Sequence, residues 1–199
     1  MLIALLILFV SVVLHEVMHG LVAYRLGDPT AKLRGRLSLN PLVHIDPLGS
    51  ILLPILFIVS GSHMMLAWAK PVPVNPAYFK DPVKDMMRVA IAGPLLNITL
   101  AFLCGTILRF AVLPALFSNA LTVAVEINLL LALFNLIPIP PLDGSRVLAY
   151  FLPLSLRLKL DAIEPYGFVI LFLLLYFDLI SKPLFWTLRF LLNTFQILA

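Results

Sequence analysis

The chain has 199 residues, of which 62% are hydrophobic and 12% are charged, and its mean hydropathy is +1.07. This composition excludes an ordinary soluble domain and predicts one membrane-embedded domain over residues 1–199, because long apolar runs with few charges are typical of membrane helices. The net charge of +4 indicates Lys and Arg in loops and not a nucleic-acid surface, since no basic run is interleaved with stacking aromatics.

The first predicted helix covers residues 2–26 and is apolar from its start to Val13, except for Ser11. No Lys or Arg precedes it, whereas Arg25 lies at its end and three more follow closely: Lys32, Arg34 and Arg36. The positive-inside rule therefore predicts an N-terminus outside the cell and residues 25–45 in the cytoplasm. This segment lacks a basic start and a small-residue cleavage site, so we expect it to be retained as a span of the cell membrane.

A metal-binding pattern lies inside this span, in the sequence His15-Glu16-Val17-Met18-His19. Because positions i and i+4 share a helix face, His15 and His19 project side by side and can bind one metal ion. Glu16 is turned about 100° away, which leaves it available as a base for a zinc-activated water molecule. Each ionisable residue at bilayer depth costs roughly 2.5–3.5 kcal/mol, and a zinc ion offsets that cost. The alternatives are a chance match and histidines that are only hydrogen-bonded in the core.

The next region is short and rich in proline. Residues 48–62 are apolar but interrupted by Pro54, so this segment either spans the membrane or re-enters it. Residues 68–76 contain three prolines and predict an extended segment instead of a helix. Val72 and Val74 keep their N–H groups there and could pair with a substrate strand, although a rigid connector fits the same pattern.

Two further spans are predicted, over residues 86–113 and 118–138. The first contains Gly93, which allows close helix approach, and Asn97, which can hydrogen-bond across helices. The second ends in a proline-broken stretch, residues 135–144, and broken backbone at membrane depth is tolerated only where protein or a water-filled cavity surrounds it. Asp143 follows those prolines at a depth comparable with the histidines. It is the best candidate for the third ligand that a catalytic zinc site needs.

Residues 166–180 predict another span, and residues 184–199 predict a last span or an interfacial helix. The fold expected is therefore an all-α polytopic membrane protein with five to six transmembrane helices and a short extended or re-entrant segment near residues 68–76.

His15-Glu16-Val17-Met18-His19 and Asn135-Leu-Ile-Pro-Ile-Pro-Pro-Leu-Asp143-Gly144 together resemble the site-2 protease family of intramembrane zinc metalloproteases. The stretches 40–49, 68–76 and 92–97 also resemble the compact prokaryotic branch of this family, which lacks PDZ and CBS domains. The matching segments run from His15 to Gly144.

This resemblance implies one zinc ion held by His15, His19 and Asp143, with Glu16 as general base. It implies that Asn135 lies beside the scissile peptide, where it positions substrate or supports the oxyanion. A role in supporting the metal ligands without binding the ion is open for a further group of polar residues: His44, Asp46 and Asn97. The sequence favours the interpretation of His44 and Asp46 as turn residues, and of Asn97 as a packing residue.

The activity implied is hydrolysis of peptide bonds in or near the transmembrane segments of membrane-protein substrates, from the cytoplasmic half of the bilayer. A transporter or proton relay is an alternative, since intramembrane His and Asp also occur there. The chain shows no internal repeat of the kind that many transporters have. An inactive zinc-binding scaffold is a third interpretation, and the presence of Glu16 argues against it.

Overall fold

The computed structural model describes residues 2–52, 59 and 69–194, and over these ranges the chain is helical and contains no β-strand. Its α-helices in chain order are α1 (Leu2–Arg25), α2 (Thr30–Leu33), α3 (Pro82–Phe110), α4 (Ala115–Asn135), α5 (Asp143–Phe151), α6 (Leu154–Ile163), α7 (Gly167–Tyr176) and α8 (Ser181–Thr194). Four short helical turns complete the described elements. Three are 3₁₀ turns, at Pro41–His44, Pro76–Tyr78 and Glu164–Tyr166, and one is a π-helical turn, at Pro47–Leu52.

Three of the described helices, α1, α3 and α4, are long and apolar enough to cross a membrane. A fourth crossing is reached if Leu154–Tyr176 and Ser181–Thr194 form one broken span, which bends by 74°. The predicted all-helical membrane fold is confirmed, whereas the count of five to six spans is not confirmed within the described residues. Residues 53–58, 60–62 and 195–199 lie outside them, so the behaviour of segments 48–62 and 184–199 stays a prediction.

The bounds of α1 follow from local chemistry. Its first half is apolar apart from the buried Ser11, and many of its side chains are exposed, as expected for a helix in contact with lipid. At the other end, Gly27 has a φ of 110°, a left-handed conformation that ends a helix with little strain only at glycine. The N–H of Asp28 then donates to the carbonyl of Ala23 at 3.0 Å, which satisfies one of the last carbonyls of α1.

Helix α3 is the centre of the bundle and packs against α1, α4 and α5. It begins where Asp81 accepts a hydrogen bond from the N–H of Lys84 at 3.1 Å, with Pro82 in the first turn. Buried apolar residues form one cluster towards each of its ends. One cluster comprises Ala101, Val125, Leu129, Leu188 and Leu192, and the other comprises Ala23, Phe79 and Val89. Between the two, the polar and small residues of α3 face α1, and the candidate site lies at that level.

Candidate metal centre and active site

His15, His19 and Asp143 meet at one point inside the bundle. The Nε2 atoms of the two histidines are 2.9 Å apart, and Oδ2 of Asp143 lies 3.2 Å from Nε2 of His15 and 3.3 Å from Nε2 of His19. Both histidines are buried, and the three residues form the one group in the described ranges that could hold a metal ion. The structure therefore brings together the three ligands that the sequence predicted, across 128 residues of chain.

The hydrogen bonds of the two imidazoles fit a metal ion. The Nδ1–H of His15 donates to Oδ1 of Asn97 at 2.5 Å, and the Nδ1–H of His19 donates to the carbonyl oxygen of Val89 at 2.7 Å. With each proton on Nδ1, both Nε2 atoms present lone pairs to each other and to a carboxylate oxygen. Three such atoms repel one another unless a cation lies between them.

The spacing of the three atoms also fits zinc. Zinc–ligand bonds of 2.0–2.2 Å at tetrahedral angles separate neighbouring ligand atoms by about 3.4 Å, close to the separations found here. Two histidines and one carboxylate form a ligand set found at catalytic zinc sites, where water or substrate takes the fourth position. The donors thus match a zinc ion in both number and chemistry.

Gly93 of α3 leaves open the space beside these ligands. A Cβ atom at this position would lie 2.5 Å from Nε2 of His19 and 2.6 Å from Nε2 of His15. Those distances are shorter than any ordinary contact, so only glycine lets α3 approach α1 this closely while both imidazoles keep their positions. The prediction that Gly93 allows close helix approach is confirmed. The groups that it approaches are the imidazoles of His15 and His19 on α1.

Asp143 reaches the site because the chain turns sharply after α4. Residues 136–142 contain three prolines that stop the helix, and α5 begins at Asp143 itself. A Cβ atom on Gly144 would lie 2.2 Å from the carbonyl oxygen of Leu136, so glycine allows the start of α5 to fold back onto the end of α4. Ser145 then donates to the carbonyl of Leu142 at 2.7 Å, which fixes the first turn.

Glu16 lies next in sequence to His15 and faces the extended segment. Its Oε2 accepts a hydrogen bond from the backbone N–H of Val72 at 2.8 Å. Val72 is buried and lies against α1 at Gly20, where a Cβ would be 2.8 Å from Cγ1 of Val72. The carboxylate proposed as base and the segment proposed to hold substrate are therefore in direct contact.

Residues 69–75 form no helix, as predicted for this region, and Trp68 lies outside the described residues. Arg36 holds this segment through its guanidinium group, which donates to the carbonyl oxygens of Lys70 at 2.5 Å, Pro71 at 3.2 Å and Val43. A guanidinium with several fixed donors is suited to gathering backbone carbonyls in this way.

Asp28 and His44 fix the same segment at its two ends. Asp28 is fully buried and accepts from the N–H of Asn75 at 2.6 Å, while the carbonyl of His44 accepts from the N–H of Lys70 at 2.9 Å. The imidazole of His44 is itself buried and its Nε2–H donates to the carbonyl of Ser38 at 2.8 Å. Asp28 also accepts a hydrogen bond from the N–H of Thr30 at 2.9 Å, as a turn residue does, whereas its bond to Asn75 joins distant parts of the chain and has no local sequence signal.

The remaining predicted residues have different positions. Asn97 is completely buried and contacts His15, so it lies directly behind a candidate ligand. Asn135, at the end of α4, donates from Nδ2 to the carbonyl of Leu131 at 2.9 Å, and its role towards a substrate stays a prediction. Asp46 accepts from the N–H of Gly49 at 2.8 Å, as a turn residue does, and its role in supporting the metal ligands also stays a prediction. Val74 packs at the edge of the cluster formed by Ala23, Phe79 and Val89.

Comparisons with known proteins agree with this site. A model of peptidase family M50 matches residues 3–114 and 111–177 of this chain. YwhC of Bacillus subtilis, whose name contains the words zinc metalloprotease, is 41% identical over 189 residues, which cover 90% of this chain and 82% of YwhC. Rip2 of Mycolicibacterium smegmatis, named with the same two words, is 31% identical over 83% of this chain and 63% of its own length.

Zinc metalloprotease MJ0392 of Methanocaldococcus jannaschii is 31% identical over 71% of this chain and 32% of its own length. The chain thus spans less than two thirds of Rip2 and of MJ0392 but most of YwhC. No solved structure matches the chain significantly.

Proposed function

This chain belongs to peptidase family M50 and is a membrane metalloprotease, and from that premise we propose that it cleaves peptide bonds in or near the transmembrane segments of membrane-protein substrates. The observation that supports the proposal most strongly is the cluster of His15, His19 and Asp143, with Glu16 next to His15. This cluster lies in a chain that has three helices long and apolar enough to cross a membrane. One zinc ion is the cofactor proposed for this cluster. When bound, it lowers the pKa of a water molecule to about 7 and polarises a peptide carbonyl.

Glu16 is proposed as the general base. Its carboxylate takes a proton from the attacking water and transfers it to the amine nitrogen that leaves, so that the hydroxyl ends on the carbonyl carbon as the C–N bond breaks. In the structure, one oxygen of this carboxylate is occupied by the N–H of Val72. This contact supports a role in which the extended segment orients Glu16 until a substrate arrives.

Residues 69–75 are proposed to hold substrate through Val72 and Val74. A transmembrane helix satisfies its own backbone hydrogen bonds, so its carbonyls are hidden until a stretch is unwound. An extended segment with anchored ends can pair with such a stretch. Pairing through the N–H of Val72 would replace its bond to Glu16 and leave the carboxylate free to meet water. Asn135 is proposed to donate to the substrate carbonyl.

The location proposed is the cell membrane, with the N-terminus outside and the site in the cytoplasmic half. His19 is six residues from Arg25, which places it about 9 Å along α1 from the basic end of the helix. The loops that follow α1 carry further Lys and Arg, as cytoplasmic loops do. The partners proposed are a membrane-protein substrate with a transmembrane segment and the lipid bilayer around it.

The test compares wild-type protein with Glu16→Gln, purified in detergent, on a panel of single-span substrates, with zinc content measured in both. We expect Glu16→Gln to keep zinc and lose cleavage by at least about 100-fold, because general-base catalysis contributes that much or more. Glu126→Gln, which makes the same change on α4, should cleave like wild type. Equal cleavage by wild type and Glu16→Gln would refute the role of Glu16, and a wild type without zinc would refute the metal site.

A further inference from the structure

A row of hydrogen bonds runs behind His15 and joins three helices. It links Asn97 of α3 to His15, then Asn128 of α4 to Asn97, and finally Asn128 to Ser11 of α1. All four side chains are buried: Asn97 exposes 0% of its surface, Ser11 and Asn128 3% each, and His15 5%. A buried row of polar groups in an apolar bundle is costly unless each member is satisfied.

The orientation of each amide in this row is determined by its neighbour. Nδ2 of Asn128 donates to the backbone carbonyl of Ala124 at 2.8 Å and to Oγ of Ser11 at 3.0 Å. A backbone carbonyl can only accept, so the side of the Asn128 amide that faces it must be the NH₂ group. Oδ1 of Asn128 therefore points the other way and accepts from Nδ2 of Asn97 at 2.8 Å.

The same reasoning continues to the imidazole. Because Nδ2 of Asn97 is used towards Asn128, its Oδ1 faces Nδ1 of His15 and requires a proton there. His15 is then left with an unprotonated Nε2, the atom that faces His19 and Asp143. His19 needs no such relay, since its Nδ1–H donates directly to a backbone carbonyl.

We propose that Asn128, assisted by Ser11, is a positioning residue that selects the metal-binding tautomer of His15 through Asn97. This inference rests on the zinc site of the proposed function. With an apolar residue at 128, either orientation of the Asn97 amide is allowed. One of the two turns its NH₂ group towards Nδ1 of His15, which then accepts and leaves the proton on Nε2.

A simple role in helix packing predicts something different. If Asn128 only joins α3, α4 and α1, its removal lowers stability and leaves zinc affinity unchanged in the protein that remains folded. Asn97→Asp separates the two roles, because a carboxylate has no NH₂ group and accepts from Nδ1 of His15 in either orientation. In that background the tautomer no longer depends on residue 128.

The experiment measures zinc affinity by competition with a chelator for full-length protein in detergent. We expect Asn128→Leu to weaken zinc binding by about 10–100-fold, as loss of a partner behind a ligand does. Ser11→Ala should weaken it less, since the carbonyl of Ala124 still orients Asn128. The double variant Asn97→Asp/Asn128→Leu should bind zinc like Asn97→Asp alone, which is the non-additivity expected of coupled residues. Thr99→Val, which removes a hydroxyl bonded within α3, is the matched control and should bind like wild type.

Each outcome decides the inference. If Asn128→Leu does not fold, as judged by gel filtration and thermal unfolding, Asn128→Ala takes its place in the same comparison. Wild-type affinity in the folded Asn128 variants would overturn the inference, as would weakened binding that Asn97→Asp fails to restore. The proposed function has a separate control: if wild type and His15→Ala bind zinc equally, the metal site itself is wrong, whatever Asn128 does.

Discussion

Gly93→Ala is the smallest change that should disable the metal centre without touching a ligand. The added Cβ would lie 2.5 Å from Nε2 of His19 and 2.6 Å from Nε2 of His15. An ordinary contact between such atoms is about 3.5 Å, so one partner must move by about 1 Å. Metal–ligand distances in a working site are held within about 0.2 Å, so a displacement of this size is several times too large.

The free energies involved act in opposite directions. Alanine stabilises a helix interior by about 0.8–1.0 kcal/mol relative to glycine, and overpacking costs about 1–3 kcal/mol. The metal-free variant should therefore range from equal stability to about 2 kcal/mol less stable than wild type, which leaves it folded. Zinc affinity has no such compensation, and we expect it to fall by at least about 10–100-fold.

The assay is competition for zinc with a chromophoric chelator, together with thermal unfolding with and without zinc and cleavage of a single-span substrate. Gly20→Ala is the matched control, because its Cβ would meet Cδ2 of Leu37 at 2.6 Å and Cγ1 of Val72 at 2.8 Å, neither of which belongs to a candidate metal ligand. It should keep wild-type zinc affinity. A folded Gly93→Ala protein that binds zinc as tightly as wild type would refute the reasoning.

Three further predictions concern the extended segment and the metal. Val72→Pro and Val74→Pro should reduce turnover while zinc stays bound, because each removes a backbone N–H from the extended segment. Unchanged turnover would contradict the proposed role of this segment in binding substrate. Val72→Ile is the control, since it keeps the N–H. Arg36→Met should loosen residues 69–75, since the carbonyl oxygens of Lys70, Pro71 and Val43 lose their donor. We expect faster amide hydrogen exchange across residues 69–75 with unchanged zinc content. Exchange at the wild-type rate would show that Arg36 does not hold this segment. Removal of zinc by a chelator should abolish cleavage and lower the unfolding temperature, because a ligand at 1,000 times its Kd contributes about 4.1 kcal/mol to stability. Added zinc should restore both cleavage and the unfolding temperature. Cleavage that persists without metal would contradict the proposal.

In the proposed mechanism, the hydrogen bond from the N–H of Val72 to Glu16 joins the general base to the segment that holds substrate. The segment is held by Arg36, Asp28 and the carbonyl of His44, so its position relative to Glu16 is set by contacts outside the metal centre. Substitution of Arg36 or Asp28, whose side chains supply two of these contacts, should change turnover without changing the ligand set. This separation allows the binding of metal and the binding of substrate to be studied one at a time.

The sequence by itself determined the parts of this protein that depend on local geometry. His15 and His19 share a face because a helix repeats every 3.6 residues, and no other part of the chain is needed for that result. Apolar composition predicted the membrane helices α1, α3 and α4, and the prolines after Asn135 predicted the break that precedes Asp143. Asp143 could be chosen as the candidate third ligand because depth in a membrane restricts which carboxylates can reach a buried pair of histidines.

Tertiary structure alone decided which groups surround those ligands. The bond from Val72 to Glu16 spans 56 residues, and the bond from His15 to Asn97 spans 82. Such pairings depend on the rotation of each helix about its axis and on how closely α3 approaches α1, quantities that many side chains set together. Asn128 and Arg36 have no local pattern that marks them. The side chains of Asn97 and Ser11, which Asn128 contacts, and the backbone carbonyls that Arg36 contacts come near only after the chain has packed.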